Sequence, residues 1–276
     1  IVEDAMNKEE NEWKPERYHE YGYFPGCVDF MDVEVKFTHL NKGDADHASI
    51  AAASIKLLNY ADIDPLVLDM NVFKCSGHDQ LWQGNLEVFD ALKEHNMKRL
   101  KESGIKIITC SCAECYRTFA VDYDLPGTLG IKVEHITQTL QGRGLKFKAP
   151  ENVTVSYHDP CRLGRMMGEY EAPRDLIQLV DGATMVELEN NKERALCCGV
   201  SSMMYCNDAT KAVRRKRLDQ GTDAGIDIML GGCPKCYMHM QCMLNEERMN
   251  PEEGHHHDYE MMDLMQFLVA CLEDEK

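Results

Sequence analysis

Apolar residues fall in short runs along this chain, and the stretches between them carry a helical spacing. Residues 21–24, 65–68 and 105–109 read as strands in the first half, and residues 153–157, 185–188 and 226–230 in the second. Leu86, Phe89, Leu92 and Leu100 share one face of a helix expected over 85–103, with Gly104 as its stop. A second helix is expected over 202–220, stopped at Gly221, and another over 258–271 at the C-terminus. Alternation of strands and helices predicts a parallel sheet. Open sheets of this kind bind ligands beyond the carboxyl ends of their strands.

A short cysteine element follows each of these strands, and the elements repeat. Cys27, Cys75, Cys112 and Cys115 of the first half match Cys161, Cys197, Cys233 and Cys236 of the second, at offsets of 134, 122, 121 and 121 residues. An offset held nearly constant over Cys-x-x-Cys and the element before it marks an internal repeat. The larger first offset puts about a dozen extra residues into the polar stretch 29–46. The repeat divides the chain into an acidic extension (1–20), a first lobe (21–145), a second lobe (146–250) and a C-terminal helical segment (251–276). The linker falls at 142–152, which holds Gly142, Gly144 and Pro150. The fold class expected is α/β: two pseudo-symmetric, Rossmann-like lobes with their cysteines at strand carboxyl ends.

Composition narrows the chemistry. With 276 residues, 44% of them hydrophobic, the chain can bury a sizeable core. Its net charge of -17 argues against a nucleic-acid partner, whose phosphates it would repel. No apolar run of 18 residues is present, so no membrane span is expected, and the first 20 residues show no signal-peptide pattern. An odd count of 13 cysteines in a chain this long does not suit a secreted disulfide scaffold. Reduced thiols are expected, in a cytoplasmic setting that includes the inner face of a membrane complex. There, clustered cysteines serve metal or redox chemistry.

Thiolates bind soft metals, and Cys-x-x-Cys places two sulfurs on one centre. The second half offers five: Cys161, Cys197, Cys198, Cys233 and Cys236. That is one more than a zinc tetrahedron or a simple cubane takes. The adjacent pair Cys197-Cys198 is awkward for one tetrahedral ion and suits a site of several irons. Iron–sulfur, structural zinc and plain reactive thiols all stand as readings, the first favoured. Pro234 after Cys233 starts a helix whose amide groups would face an anionic cluster. His78 and His158 are candidates to donate to the cluster, and Arg162 and Arg165 to offset its charge or hold an acidic substrate.

The order Cys161, Cys197-Cys198-Gly199, Cys233-Pro234-Lys235-Cys236, with Tyr157-His158-Asp159-Pro160-Cys161-Arg162 and Ala195-Leu196 around it, resembles the cysteine-rich CCG domain. That domain occurs twice in the B-type subunit of heterodisulfide reductases and in the catalytic part of the D-type subunit. Iron–sulfur subunits of lactate and glycolate oxidases and of quinone- or thiol-linked complexes are related. The resemblance spans roughly residues 21–244. It implies noncubane 4Fe-4S clusters, each tied by five cysteines, that cleave a disulfide in two one-electron steps. Carried over, Cys161, Cys197, Cys198, Cys233 and Cys236 would hold such a cluster in the second lobe and carry the catalysis through it.

The first lobe departs from that pattern. Ser76 stands where the second cysteine of the pair belongs, leaving Cys27, Cys75, Cys112 and Cys115, with Cys110 as a replacement ligand to be considered. Four ligands suit either an ordinary cubane or an altered noncubane 4Fe-4S cluster, and such a first centre is expected to relay electrons to the second. The ferredoxin cysteine run and a G-x-G-x-x-G fingerprint are both absent, so the chain is expected to dock a partner subunit carrying cubane 4Fe-4S clusters or flavin, or to be part of a longer chain that carries them. The substrate classes expected are a small thiol/disulfide or a quinone. Alternatives are a non-catalytic electron relay and a zinc-stabilised interaction protein. Cys206, Cys242 and Cys271 read as core residues, Lys211 to Arg217 as a solvated basic helix face, and His255 to His257 as an exposed loop.

Overall fold

The computed structural model describes residues 13–26, 28, 47–200, 207–253 and 257–273. The first lobe runs β1 (Tyr21–Phe24), α1 (His47–Tyr60), β2 (Leu66–Val67), α2 (His78–Trp82), α3 (Leu86–Ser103), β3 (Ile107–Cys110), α4 (Ala113–Arg117), α5 (Leu125–Thr128), β4 (Lys132–His135) and α6 (Ile136–Leu140). The second runs β5 (Phe147–His158), α7 (Gly164–Met167), α8 (Glu171–Gln178), β6 (Val180–Met185), α9 (Asp208–Asp223), β7 (Ile228–Gly231), α10 (Pro234–Met249), β8 (Glu260–Asp263) and α11 (Leu264–Ala270). Both sheets are four-stranded and all-parallel, in the orders β2-β1-β3-β4 and β6-β5-β7-β8. The repeat in the sequence is thus a repeat of topology, and the α/β two-lobe expectation holds.

The register aligns the strand ends that matter. Phe24 pairs with Cys110 and Cys110 with His135 in the first sheet. His158 pairs with Gly231 and Gly231 with Asp263 in the second. The fourth strand of each lobe carries no such signal in the sequence. β4 has one apolar residue among Lys132, Glu134 and His135, and β8 sets Met261 and Met262 between acids, so neither shows a strand-like run. Both are edge strands that turn at once into a helix. His135 caps α6 with Gln138 returning to its backbone, and Asp263 caps α11 with Gln266 doing the same. Each is a reciprocal capping box.

Other boundaries shift for local reasons. The expected C-terminal helix begins with β8 and becomes helical only at Leu264. The strand expected at 185–188 lies upstream as β6, where Asp181 and Gly182 interrupt the apolar pattern. β5 begins at Phe147 and takes up much of the expected linker. The helix expected over 202–220 is α9, capped by Asn207 and running past Gly221. Gly221 is there for close approach, because a Cβ would meet the Tyr259 ring at 2.7 Å, while Gly225, at φ +62°, ends the helix. The extension 1–12, the stretch 29–46, Cys27, Cys206, His255 and His256 lie outside the described residues.

The lobes interlock. α1 of the first packs on α11 of the second, and α8 of the second packs on α6 of the first. One apolar core joins Leu57, Leu58 and Leu140 to Leu176, Leu264 and Leu268. The other joins Phe24, Ile108 and Phe119 to Leu218, Met229 and Met240, and the buried cysteines Cys112, Cys115, Cys198, Cys233 and Cys236 belong to it. The carboxyl ends of both sheets are thereby brought face to face.

Candidate metal centres

Each Cys-x-x-Cys sits where its lobe's third strand turns into a helix. Cys112 is the N-cap residue of α4, and Cys233 is that of α10, with Pro234 at the first helical position. Proline suits that place because its missing N–H would have no helical partner. The Cys233 thiol lies well below its usual range. Hydrogen bonds from the Cys112 and Cys236 thiols do most of this, and burial opposes it; the Cys236 N–H and the Lys235 charge help.

The other cysteine element of each lobe is a tight loop. Gly77 and Gly199 adopt φ +78° and +79°, and their N–H groups reach back to Cys75 Sγ (3.5 Å) and Cys197 Sγ (3.4 Å). A Cβ on Gly199 would lie 2.4 Å from the Thr210 carbonyl oxygen, so the position admits only glycine. The residue between turns into the recess in both lobes. Cys198 Sγ lies 3.2 Å from Cys236 Sγ, and Ser76 Oγ lies 3.4 Å from Cys115 Sγ. Serine thus occupies the place of the fifth thiol in the first lobe.

Cys161, Cys197, Cys198, Cys233 and Cys236 line one recess. Cys161 hydrogen-bonds Cys197, which raises its thiol together with burial. Cys161 and Cys197 are the half-exposed members, so the recess is reached from their side. A second recess is lined by Cys75, Ser76, Cys112 and Cys115, with His78 and Asp79. Gly26, at φ +75°, packs there: a Cβ on it would lie 3.4 Å from Cys115 Sγ. Cys110 is fully buried at the end of β3 and is not among the residues lining the recess.

The two recesses meet at the pseudo-twofold axis. Cys112 and Cys233, equivalent in the repeat, lie close enough for each thiol to shift the other. Glu114 and Lys235, also equivalent, line both recesses. Lys235 Nζ lies 2.8 Å from Glu114 Oε2 and 2.6 and 2.7 Å from the Asp79 carboxylate oxygens. Burial lowers the tendency of Lys235 to carry charge, but the Glu114 and Asp79 carboxylates outweigh it and hold the ammonium protonated. Burial pushes Glu114 up to about 8, against the pull of Lys235.

His78 and His158 are each placed at a recess. A ring nitrogen of His158 and the sulfurs of Cys198 and Cys236 lie within 4.8 Å of one another. His158 Nδ1 accepts from Arg217 Nε at 3.0 Å, which leaves its proton on Nε2. Burial first, then Arg217, lowers its pKa to about 3. His78 Nε2 accepts from Arg162 Nε at 3.2 Å, and burial and Arg162 bring its pKa to about 3. The Arg162 guanidinium also stacks over Trp82 at 3.9 Å, so this residue of the second lobe closes over the first. Arg165 is exposed and lines neither recess, donating to the Glu193 and Ala195 carbonyls ahead of the Cys197 loop.

Two residues read as a solvated basic face are not solvated. Arg214 and Arg217, on one side of α9, are fully buried. Arg214 Nε donates to the Cys198 carbonyl at 3.1 Å, and Arg217 joins His158 to the Asn190 carbonyl and Gln220. Their i, i+3 spacing was the available signal. His257 is buried as well, between Glu247 and Asp219, rather than exposed in a loop.

Soft thiolate donors converging in this number fit a multinuclear iron–sulfur group better than one tetrahedral ion. The comparisons with known proteins agree. The cysteine-rich domain family, CCG, matches residues 21–120 and 155–241, and the chain belongs to it. Among its relatives is the D-type subunit of the dihydromethanophenazine:CoB–CoM heterodisulfide reductase of Methanosarcina barkeri, 32% identical over 73% of this chain and 52% of that protein. Another is the probable iron-sulfur-binding oxidoreductase FadF of Bacillus subtilis, 30% identical over 74% of this chain and 30% of that protein. The B-type subunit of the Methanothermobacter marburgensis fumarate reductase (CoM/CoB) is 27% identical over 92% of this chain and 47% of that protein. The chain spans about half the length or less of these relatives. A hypothetical protein from Helicobacter pylori shares the fold, with a TM-score of 0.56 at 8% identity over 99% of this chain and 54% of that one.

Proposed function

We propose that this chain is an iron–sulfur oxidoreductase subunit whose second lobe holds a noncubane 4Fe-4S cluster and performs thiol/disulfide-type redox chemistry. The observation that carries this reading is the convergence of five thiols, Cys161, Cys197, Cys198, Cys233 and Cys236, on one recess reached from the half-exposed Cys161–Cys197 side. Cys27, Cys75, Cys112 and Cys115 would hold the first cluster, with the Ser76 hydroxyl beside it. When bound, the second cluster would supply one-electron steps, two of which reduce a disulfide to two thiols with two protons. The chain's own residues fix the ligands. Gly77 and Gly199 aim their N–H groups at sulfur, the N-terminus of α10 offers amides to a cluster of negative charge, and His158 holds an Nε2–H toward Cys198 and Cys236. The closeness of Cys112 to Cys233 supports a first site that relays electrons into the second.

Electrons would come from a partner subunit carrying cubane clusters or flavin, as the relatives' assembly as reductase subunits suggests. No described helix is long and apolar enough to cross a membrane, so any membrane link of such a complex would run through another segment or subunit. The deciding measurement is iron and acid-labile sulfide on anaerobically purified protein, with EPR of the oxidised form. About eight irons with matching sulfide are expected for two 4Fe-4S clusters. The Cys198→Ser variant should lose the oxidised-state signal and keep the first cluster. Zinc without sulfide would end the redox reading.

A further inference from the structure

The two recesses share thiols, topology, the Lys235 bridge and the buried Arg162, which donates to His78 at the first and lines the second; what they do not share is charge on the long helix behind the cluster loop. Behind the second stand Arg214 and Arg217. Among the described residues, Arg217 donates only to neutral groups: His158 Nδ1, the Asn190 carbonyl and Gln220 Oε1. Its Nη2 is buried with no hydrogen-bond partner. The nearby Asp159 is taken by a bidentate pair with Arg174, at 2.7 and 3.0 Å. Arg214 donates to the Cys198 carbonyl, a backbone atom of the cluster loop itself. The first lobe does the same structural work with a neutral group. There Asn96, fully buried on α3, donates to the Cys75 carbonyl at 3.1 Å. The carboxylates near the first recess, Glu114 and Asp79, clamp Lys235.

A reduced cluster carries one more negative charge than its oxidised form, and buried cations stabilise it because little solvent screens them. Cys198 in place of Ser76 adds one negative thiolate to the second site, and the Arg217 guanidinium, reaching the site through His158, opposes it. We propose that Arg217, with Arg214 behind the Cys198 loop, makes the second-lobe cluster the higher-potential of the two, so that electrons arriving at the first lobe collect at the second. This rests on the cluster reading above and assigns the direction of flow within it. Lys235, lining both recesses, acts on both potentials together.

The test is a dye-mediated redox titration followed by EPR on anaerobic protein, with the second-site signal assigned by its loss in C198S. In the wild type the second cluster should reduce first. Arg217→Gln should lower the second-site midpoint and leave the first unmoved, R217K should restore most of the shift, and Lys235→Met should lower both. A second cluster that titrates below the first in the wild type overturns the inference, whether or not any variant folds. So does a Gln variant that folds, by its melting curve, and shifts both clusters equally or neither. Absence of iron and sulfide would instead overturn the cluster reading itself, which keeps the two failures apart.

Discussion

Two glycines test how rigidly single residues fix the cluster loops. Gly199 combines a left-handed backbone with a carbonyl oxygen 2.4 Å from where a Cβ would stand. Gly144 has a similar φ, +71°, and nothing within 4 Å. Gly144→Ala should therefore cost only the left-handed strain of about 1–2 kcal/mol. Gly199→Ala must also push Thr210 and α9 aside, and should cost about 2 kcal/mol more. Urea unfolding of the two variants measures the difference, and equal midpoints would refute it. Ser76→Cys is the complementary change. It puts a thiol 3.4 Å from Cys115, matching Cys198 and Cys236, and should give the first lobe an oxidised-state EPR signal like the second. If the signal is unchanged, Ser76 is not at the fifth ligand's place. Candidate thiols were legible because Cys-Cys and Cys-x-x-Cys at a fixed offset are rare patterns. Arg214 and Arg217 were not, because Lys211 to Arg217 is almost uniformly basic and only packing decides which two of its charges face inward.

At the scale of elements, what sequence revealed were the central strands and the long helix α3, whose apolar runs and Gly104 stop are strong signals. The edge strands β4 and β8 were lost because they bury polar residues, Glu134 and His135 in one and Asp263 in the other, and are held by pairing and capping boxes rather than by an apolar run. The segment leading into β8 carries its own device. His257 Nδ1 contacts Glu247 of α10, and Nε2 contacts Asp219 of α9 at 3.1 Å, with Arg215 of α9 across from Glu247 at 3.7 Å and the Tyr259 ring beside it. Burial disfavours the charged ring, but the Glu247 hydrogen bond and both carboxylates outweigh it and raise the His257 pKa. The pairing thus stabilises the fold fully below the unfolded value of about 6.5 and is lost as pH rises through the folded value. Melting temperatures of wild type and His257→Gln should differ most at about pH 6 and converge by about pH 9. A gap that stays constant or widens with pH would show that His257 contributes by packing alone.

The interlocking of the lobes has no counterpart in the sequence, because it depends on which helix faces meet across a pseudo-twofold axis. The repeat alone would allow two lobes that fold independently and touch at a flat interface. Instead α1 completes the second lobe against α11, and α8 completes the first against α6; Gln138 reaches Glu169 and Gln266 reaches Ser49 across the same two seams. Leu57, fully buried on α1, lies in a core shared with Leu264 and Leu268. Its replacement by Ala should cost about 2–5 kcal/mol of the whole molecule's stability. It should lower a single transition rather than expose a separate first-lobe step. Cutting the chain in the exposed turn at Gly142–Gly144 sharpens the test. Expressed alone, each half leaves one of its helices without the face it packs against, and should lack a cooperative melt. Expressed together, the halves should reassemble, since the cut crosses no core contact. If either half alone melts cooperatively with native-like circular dichroism, the lobes are independent. The cluster recesses, which meet through Cys112, Cys233, Glu114 and Lys235, would then owe their alignment to the linker rather than to the shared cores.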